Sequence, residues 1–178
     1  MKLSALFNSI AILGTLATET LATTAPKARK NQMVGIYKMS SAHLYINNTL
    51  VSTEALGPNP NAHLIITADF YAMAQIQRSD LPLFPADLPR GQPGSPEQNA
   101  AIVQGTLAIT GTYEVDEDGV WLSQHVLGCS YPNWVGLERG REGLAFEVRE
   151  GGLTETLTEG QQVSIVQWER VSTAKRGY

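Results

Sequence analysis

Sulfur, imidazole and charge are all scarce in this chain. Its 178 residues include one cysteine, Cys129, and three histidines, and only 17% of positions are charged. A single thiol excludes an intrachain disulfide framework and is safest buried, where it acts as a small hydrophobe. His43, His63 and His125 show no H-x-H or H-E-x-x-H spacing, so neither a metal site nor a metal cofactor is expected. With a net charge of −4 and a pI of about 5.4, the chain has no basic patch, which argues against nucleic acid. Also missing are G-x-G-x-x-G, the P-loop, C-x-x-C and the G-x-S-x-G elbow, so hydride transfer, phosphoryl transfer and serine hydrolysis lack support. No stretch suggests the carboxylate pair of a glycosidase.

Long apolar runs are confined to the N-terminus. Met1-Lys2 is a short positive region, and Leu3 to Ala17 is apolar over about 15 residues, too short to span a bilayer comfortably. Small residues around Thr20 and Ala22 fit a cleavage site, so residues 1–22 are expected to be a signal peptide, with the mature chain secreted or luminal. No other segment is long enough for a membrane span. Residues 23–32 read as a flexible arm, 33–171 as one domain and 172–178 as a tail. The triplet Asn47-Asn48-Thr49 is a glycosylation sequon, placing Asn47 on a surface turn if used.

What the chain does have is strand periodicity. Short strand-like segments cover Val34–Ser41, Leu44–Ile46, His63–Thr67, Tyr71–Arg78, Leu107–Val115, Val120–Cys129, Leu144–Glu150, Leu153–Leu157 and Val163–Val171. Gly151-Gly152 marks a two-residue hairpin. Prolines 82, 85, 89 and 93 make Ser79–Gly94 a long irregular loop of the kind that covers binding sites. One helix is signalled, with Ser95 as N-cap, Pro96 at the first position, Gln98 completing a capping box and Gly105 at the end. Eight to nine locally connected strands predict an all-β fold, a closed antiparallel barrel with one short helix, because closure removes the exposed edges.

The Asp116-Glu-Asp-Gly119 turn sets a register for the strands on either side. A three-residue loop with Gly119 in the left-handed position opposes Val115 to Trp121, Tyr113 to Ser123, Gly111 to His125 and Ile109 to Leu127. That register points Trp121, Ser123, His125, Leu127 and Cys129 into the barrel. One residue of slippage reverses it and puts Val120, Leu122, Gln124 and Val126 inside.

With these segments placed, the chain resembles the lipocalin-like domain family over most of residues 33–171. The likeness rests on "GIYKM" (35–39), "GPNPNAHLIITADFYAMAQIQR" (57–78), "SPEQNAAIVQGTLAITGTYEV" (95–115), "HVLGCSYPNWVG" (125–136), Arg141 and "WERV" (168–171). Two positions depart from the pattern: Tyr37 stands where the family has Trp, and Phe70 where it usually has Gly. Phe70 cannot take a left-handed conformation cheaply, so a differently built turn is expected there. The resemblance implies a lipocalin-like barrel with a short helix lid. It also implies either a carrier of a small hydrophobic molecule or a cofactor-free cyclase or isomerase of natural-product biosynthesis.

His125 is the expected acid–base group and Tyr71 the expected orienting one. Tyr113, Trp121, Met73, Gln75, Ser123, Asn133, Trp134 and Arg141 are the expected ligand contacts. Tyr37 and Arg170 are read as a structural cation–π closure. Trp168 is assigned to the core or to outer-face packing.

Overall fold

The computed structural model describes residues 31–171. Among the described residues ten strands follow one another, with one α-helix between the fourth and fifth. They are β1 (Gly35–Ile46), β2 (Thr49–Ser52), β3 (Asn61–Ile66), β4 (Tyr71–Gln77), α1 (Pro96–Gly105), β5 (Thr106–Val115), β6 (Trp121–Cys129), β7 (Glu138–Gly140), β8 (Leu144–Arg149), β9 (Gly152–Glu159) and β10 (Gln162–Arg170). Nine of them form one antiparallel sheet in the order β7-β6-β5-β4-β3-β1-β10-β9-β8, and β2 pairs with β1 alone. This is the all-β barrel that the strand count predicts, nearly closed. The exception is the seam between β7 and β8, which carries no ladder.

β1 joins two strands that the sequence reading separates. A bulge between Met39 and Ser41 lets it bend: its first half pairs with β3 and its second half with β2. Asn47 and Asn48 both have positive φ, so the sequon forms the tight turn that right-handed strand twist favours. Helix α1 is capped as expected, with Ser95 and Gln98 forming a reciprocal capping box.

The core fills the barrel, with Tyr37, Leu64, Ile66, Val115, Trp121, Val126, Leu153 and Trp168 almost wholly buried. Arg170 lies 4.8 Å over the Tyr37 ring. Asn31 and Gln32, expected in the flexible arm, are instead tied to this end of the barrel. Asn31 donates to the Tyr113 hydroxyl, Gln32 donates to the Gly119 and Asp118 carbonyls, and Met33 is buried behind them. The expected signal peptide lies outside the described residues.

The β5–β6 hairpin begins in the expected register and then leaves it. Asp116 N donates to the Val120 carbonyl, Gly119 has φ +78°, and Val115 faces Trp121. A bulge then takes up Leu122, so Glu114 faces Ser123, Tyr113 faces Gln124 and Thr112 faces His125. Gly111 therefore faces Val126, and a Cβ on it would lie 2.3 Å from the His125 carbonyl oxygen. Gly111 makes room for backbone, not for an imidazole. A second irregularity takes up Leu127 and sets Ile109 opposite Cys129, two residues away from the partner that the turn register gave it.

The turn before β4 also differs from expectation. Phe70 does adopt the left-handed conformation, at φ +66°. Its carbonyl accepts from Tyr113 N at 3.0 Å, and its ring packs 5.7 Å from the Tyr113 ring, which offsets the backbone cost. The two-residue turn before β9 is Glu150-Gly151, with Gly152 already in the strand.

Candidate functional site

Alternation along β6 after the first bulge decides what faces the barrel interior. Trp121, Gln124 and Val126 point inward, while Leu122 and Leu127 point out. β7 continues this pairing, with Gln124 opposite Arg139 and His125 opposite Glu138. Gln124 and Arg139 are therefore on the inner face, and His125 and Glu138 on the outer one.

A cavity of about 60 Å³ occupies the middle of the barrel. Its apolar wall comes from Leu64, Ala72, Ile76, Ile109, Leu144, Phe146 and Leu157. Its polar groups are Trp121, Gln124, Arg139, Glu155 and Trp168, with Trp134 over Arg139. A larger recess of about 450 Å³ lies outside the barrel, bordered by Lys38, Ser40, Glu54, Asn59 and Glu169. It is an open trough between the β1 bulge and the loop after β2, and none of the enclosed polar groups reaches it.

Glu155 is the chemical centre of the inner cavity. It lies between Phe146 of β8 and Val166 of β10 in the ladders, both buried. The Trp168 indole N–H donates to its Oε2 at 2.7 Å. Enclosure by protein pushes its carboxyl above the usual glutamate range, and the Trp168 bond and the Arg139 charge offset this only in part. Arg139 places its guanidinium 4.0 Å from the Trp134 ring centre, and its Nη2 lies 3.7 Å from Glu159. It bridges the unpaired seam from β7 to the end of β9.

Among the described residues, two that line the cavity each carry a buried polar atom with no protein partner. The atoms are the indole N–H of Trp121, a residue only 1% exposed, and the side-chain carbonyl of Gln124, at 5%. Buried polar groups in folded proteins are almost always paired, so such a donor and acceptor on one cavity wall are a functional signal. The Trp121 indole stacks on Tyr113 at 5.2 Å and takes the tilted Phe146 ring at 4.6 Å. Its edge alone is free.

The sequence-predicted residues divide sharply. Trp121 and Trp134 line the cavity, and Tyr113 packs behind Trp121. Tyr113 is no free contact: its hydroxyl donates to the Thr67 carbonyl at 2.7 Å. His125 is the main correction. Its side chain is 41% exposed on the outer face and meets the Glu138 carboxylate, because the bulge at Leu122 turns it away from the interior. Tyr71, 52% exposed, and Gln75 lie on the outer face of β4, whose inner face is Ala72, Ala74 and Ile76; Met73 is also largely exposed, yet it contributes to the cavity lining. Ser123 shares the outer face and reaches Glu114. Asn133 is exposed on a 3-10 turn, Pro132–Trp134. Arg141 sits outside as well, pairing with Asp116 and donating to the Trp121 carbonyl at 2.7 Å.

Gln124, Arg139, Glu155 and Trp168 are the cavity residues that sequence reasoning missed. A signal for Glu155 existed: in Leu153-Thr-Glu-Thr-Leu157 it shares a strand face with two leucines, an unusual place for a carboxylate. For Arg139 there was none, since β7 is only three residues long. Among the described residues no cluster of His, Cys, Asp or Glu is arranged to hold a metal ion.

The model of the lipocalin-like domain matches residues 34–176 of the chain. No curated protein matches it significantly. Among solved structures, a crystal structure of a point mutant of the fluorescent protein UnaG matches at 16% identity, covering 78% of this chain and 95% of that one, with a TM-score of 0.33.

Proposed function

Because the chain belongs to the lipocalin-like domain family, we propose that it binds one small, largely apolar molecule inside the barrel. The observation that carries this reading is the unpaired Trp121 N–H and Gln124 carbonyl, on two residues that line a mostly apolar cavity. The family fold fits such a ligand. The cavity volume admits only part of a molecule, so the rest must pass between strands. The seam between β7 and β8 is the place without a ladder, and Arg139 spans it by side-chain contacts alone. The apolar leader at 1–22 supports a secreted or luminal carrier.

The test uses the chain's own reporters. All three tryptophans, Trp121, Trp134 and Trp168, border the cavity. A hydrophobic ligand extracted from the native protein, or a solvatochromic probe in its place, is expected to change their emission saturably at one molecule per barrel. Emission that never saturates, together with an empty native mass spectrum, would sink the reading.

A second reading has its own observation. Glu155 is an enclosed carboxyl held above its ordinary range beside the cavity. A carboxyl raised by enclosure beside a cavity is a candidate proton-transfer group. This favours a cofactor-free cyclase or isomerase acting on an apolar natural-product intermediate in a biosynthetic pathway, with Glu155 in the role first assigned to His125. Glu155→Gln discriminates the two: a carrier keeps its affinity and has nothing to lose, while an isomerase keeps binding and loses turnover of the bound compound.

A further inference from the structure

The two orphan atoms describe the ligand more closely than the barrel does. Trp121 Nε1 donates only, and the Gln124 side-chain carbonyl accepts only. Both belong to inward residues of one strand, three positions apart across a bulge. Resting on the binding reading above, we propose that the cavity is a head-group pocket for a neutral ligand group that both accepts and donates a hydrogen bond: a hydroxyl or an unsubstituted or singly substituted amide.

The surroundings exclude the other head groups. An ether, ester or ketone satisfies Trp121 and leaves the Gln124 carbonyl unpaired, at the cost of a buried acceptor. A hydrocarbon satisfies neither. A carboxylate meets the Gln124 carbonyl with another acceptor, and Glu155 lies on the same cavity. Among the described residues the cation lining the cavity is Arg139, which already faces Glu155 and Glu159 and stacks on Trp134. Among the residues lining the cavity a ligand ammonium finds no carboxylate but Glu155, whose Oε2 already takes the Trp168 N–H, and it leaves the Trp121 N–H unpaired. The size agrees: 60 Å³ corresponds to about two waters of liquid volume, enough for a head group and not for a whole drug-sized molecule.

Unpaired groups that a ligand completes also leave a mark on the empty protein. Methionine has nearly the shape of glutamine without its polar atoms. Gln124→Met therefore removes an unsatisfied buried group, and a Tm equal to or a few degrees above that of the wild type is expected. A glutamine kept for stability would show the reverse.

The experiment titrates the full-length protein with a series that shares one tail: 1-octanol, octanamide, methyl heptyl ether, octane and octanoate, read by tryptophan emission. The wild type is expected to bind octanol and octanamide about tenfold more tightly than the ether, the worth of one retained hydrogen bond. The ratio between octanol and octanamide tells which of the two groups the pocket fits better. In Gln124→Met the preference over the ether falls to within twofold while the ether still binds. Equal binding of all five compounds by the wild type, tightest binding of octanoate, or an unchanged preference in Gln124→Met overturns the head-group assignment and leaves the binding reading standing. Failure of every compound to bind takes both down.

Discussion

The two halves of the barrel interior treat buried polar atoms in opposite ways. At the end sealed by residues 31–33, the Tyr37 hydroxyl donates to the Met33 carbonyl at 2.7 Å, and the Tyr113 hydroxyl is bonded to both Thr67 and Asn31. In the middle, two residues that line the cavity, Trp121 and Gln124, each keep a buried polar atom without a protein partner. One residue joins the two regions: Trp121 stacks its face on Tyr113, lines the cavity and leaves its N–H unpaired. The difference is instructive because each unpaired group costs about 1–3 kcal/mol. A core shaped by stability alone would hold a methionine where Gln124 stands. The sealed end is built to hold the barrel together, and the middle is built to be finished by something else.

The comparison breaks most visibly at the sealed end. Tyr37→Ala removes a fully buried ring from under Arg170, and a loss of about 3–5 kcal/mol in urea unfolding is expected. A loss below about 1 kcal/mol would show that this end is not a packed seal. Tyr113→Phe keeps the ring stack and strands the Thr67 carbonyl and the Asn31 amide, so about 1–3 kcal/mol should go. Beside these, Gln124→Met in the middle is expected to cost nothing. A cost equal to that of Tyr113→Phe would erase the distinction between the two regions.

Glu155 sharpens the contrast through pH. Its carboxyl is raised by enclosure, first of all, with the Trp168 bond and Arg139 opposing. A raised acid contributes stability that is fully present below its unfolded value and is lost as pH climbs through the folded one. As pH rises above the ordinary glutamate range, the wild type therefore loses stability that Glu155→Gln does not. The gap in Tm between variant and wild type should widen with rising pH. Asp116 runs the other way: the Val120 amide, first, and then Arg141 hold its carboxyl low, so its contribution fades only as pH falls. It is common to both proteins and cancels in the comparison. A gap that stays constant as pH rises would mean that Glu155 titrates like a solvated glutamate.

Strand count, the capping box at Ser95, the Asp116–Gly119 turn and the Tyr37–Arg170 closure were all readable from residues, because each depends on a local rule. The interior was not. Its composition turns on whether one residue, Leu122, is counted in the ladder or bulged out of it, and no residue at that position announces a bulge. A turn fixes register for only as long as the ladder stays regular, so a correct turn led to an incorrect face. The same reasoning that placed His125 inside held Gln124 as its mirror image. Phe70 was misread for a related reason: the rule against left-handed Phe is a local cost, and contact with Tyr113 outweighs it. Arg139 reached the cavity from a strand too short to carry a pattern.

The smallest expected effect tests that correction directly. His125 and Glu138 form an exposed cross-strand pair, of the kind worth about 0–1 kcal/mol and screened by salt. His125→Gln should therefore change stability by no more than about 0.5 kcal/mol, and tryptophan-monitored binding by less than twofold. The bulge makes this a strong demand, because a histidine inside the barrel would touch both the cavity and its reporters. Loss of octanol binding or of turnover in this variant would mean that the hairpin holds the other register in solution. His125 would then stand where Gln124 is placed, and Gln124→Met would become the silent substitution of the two.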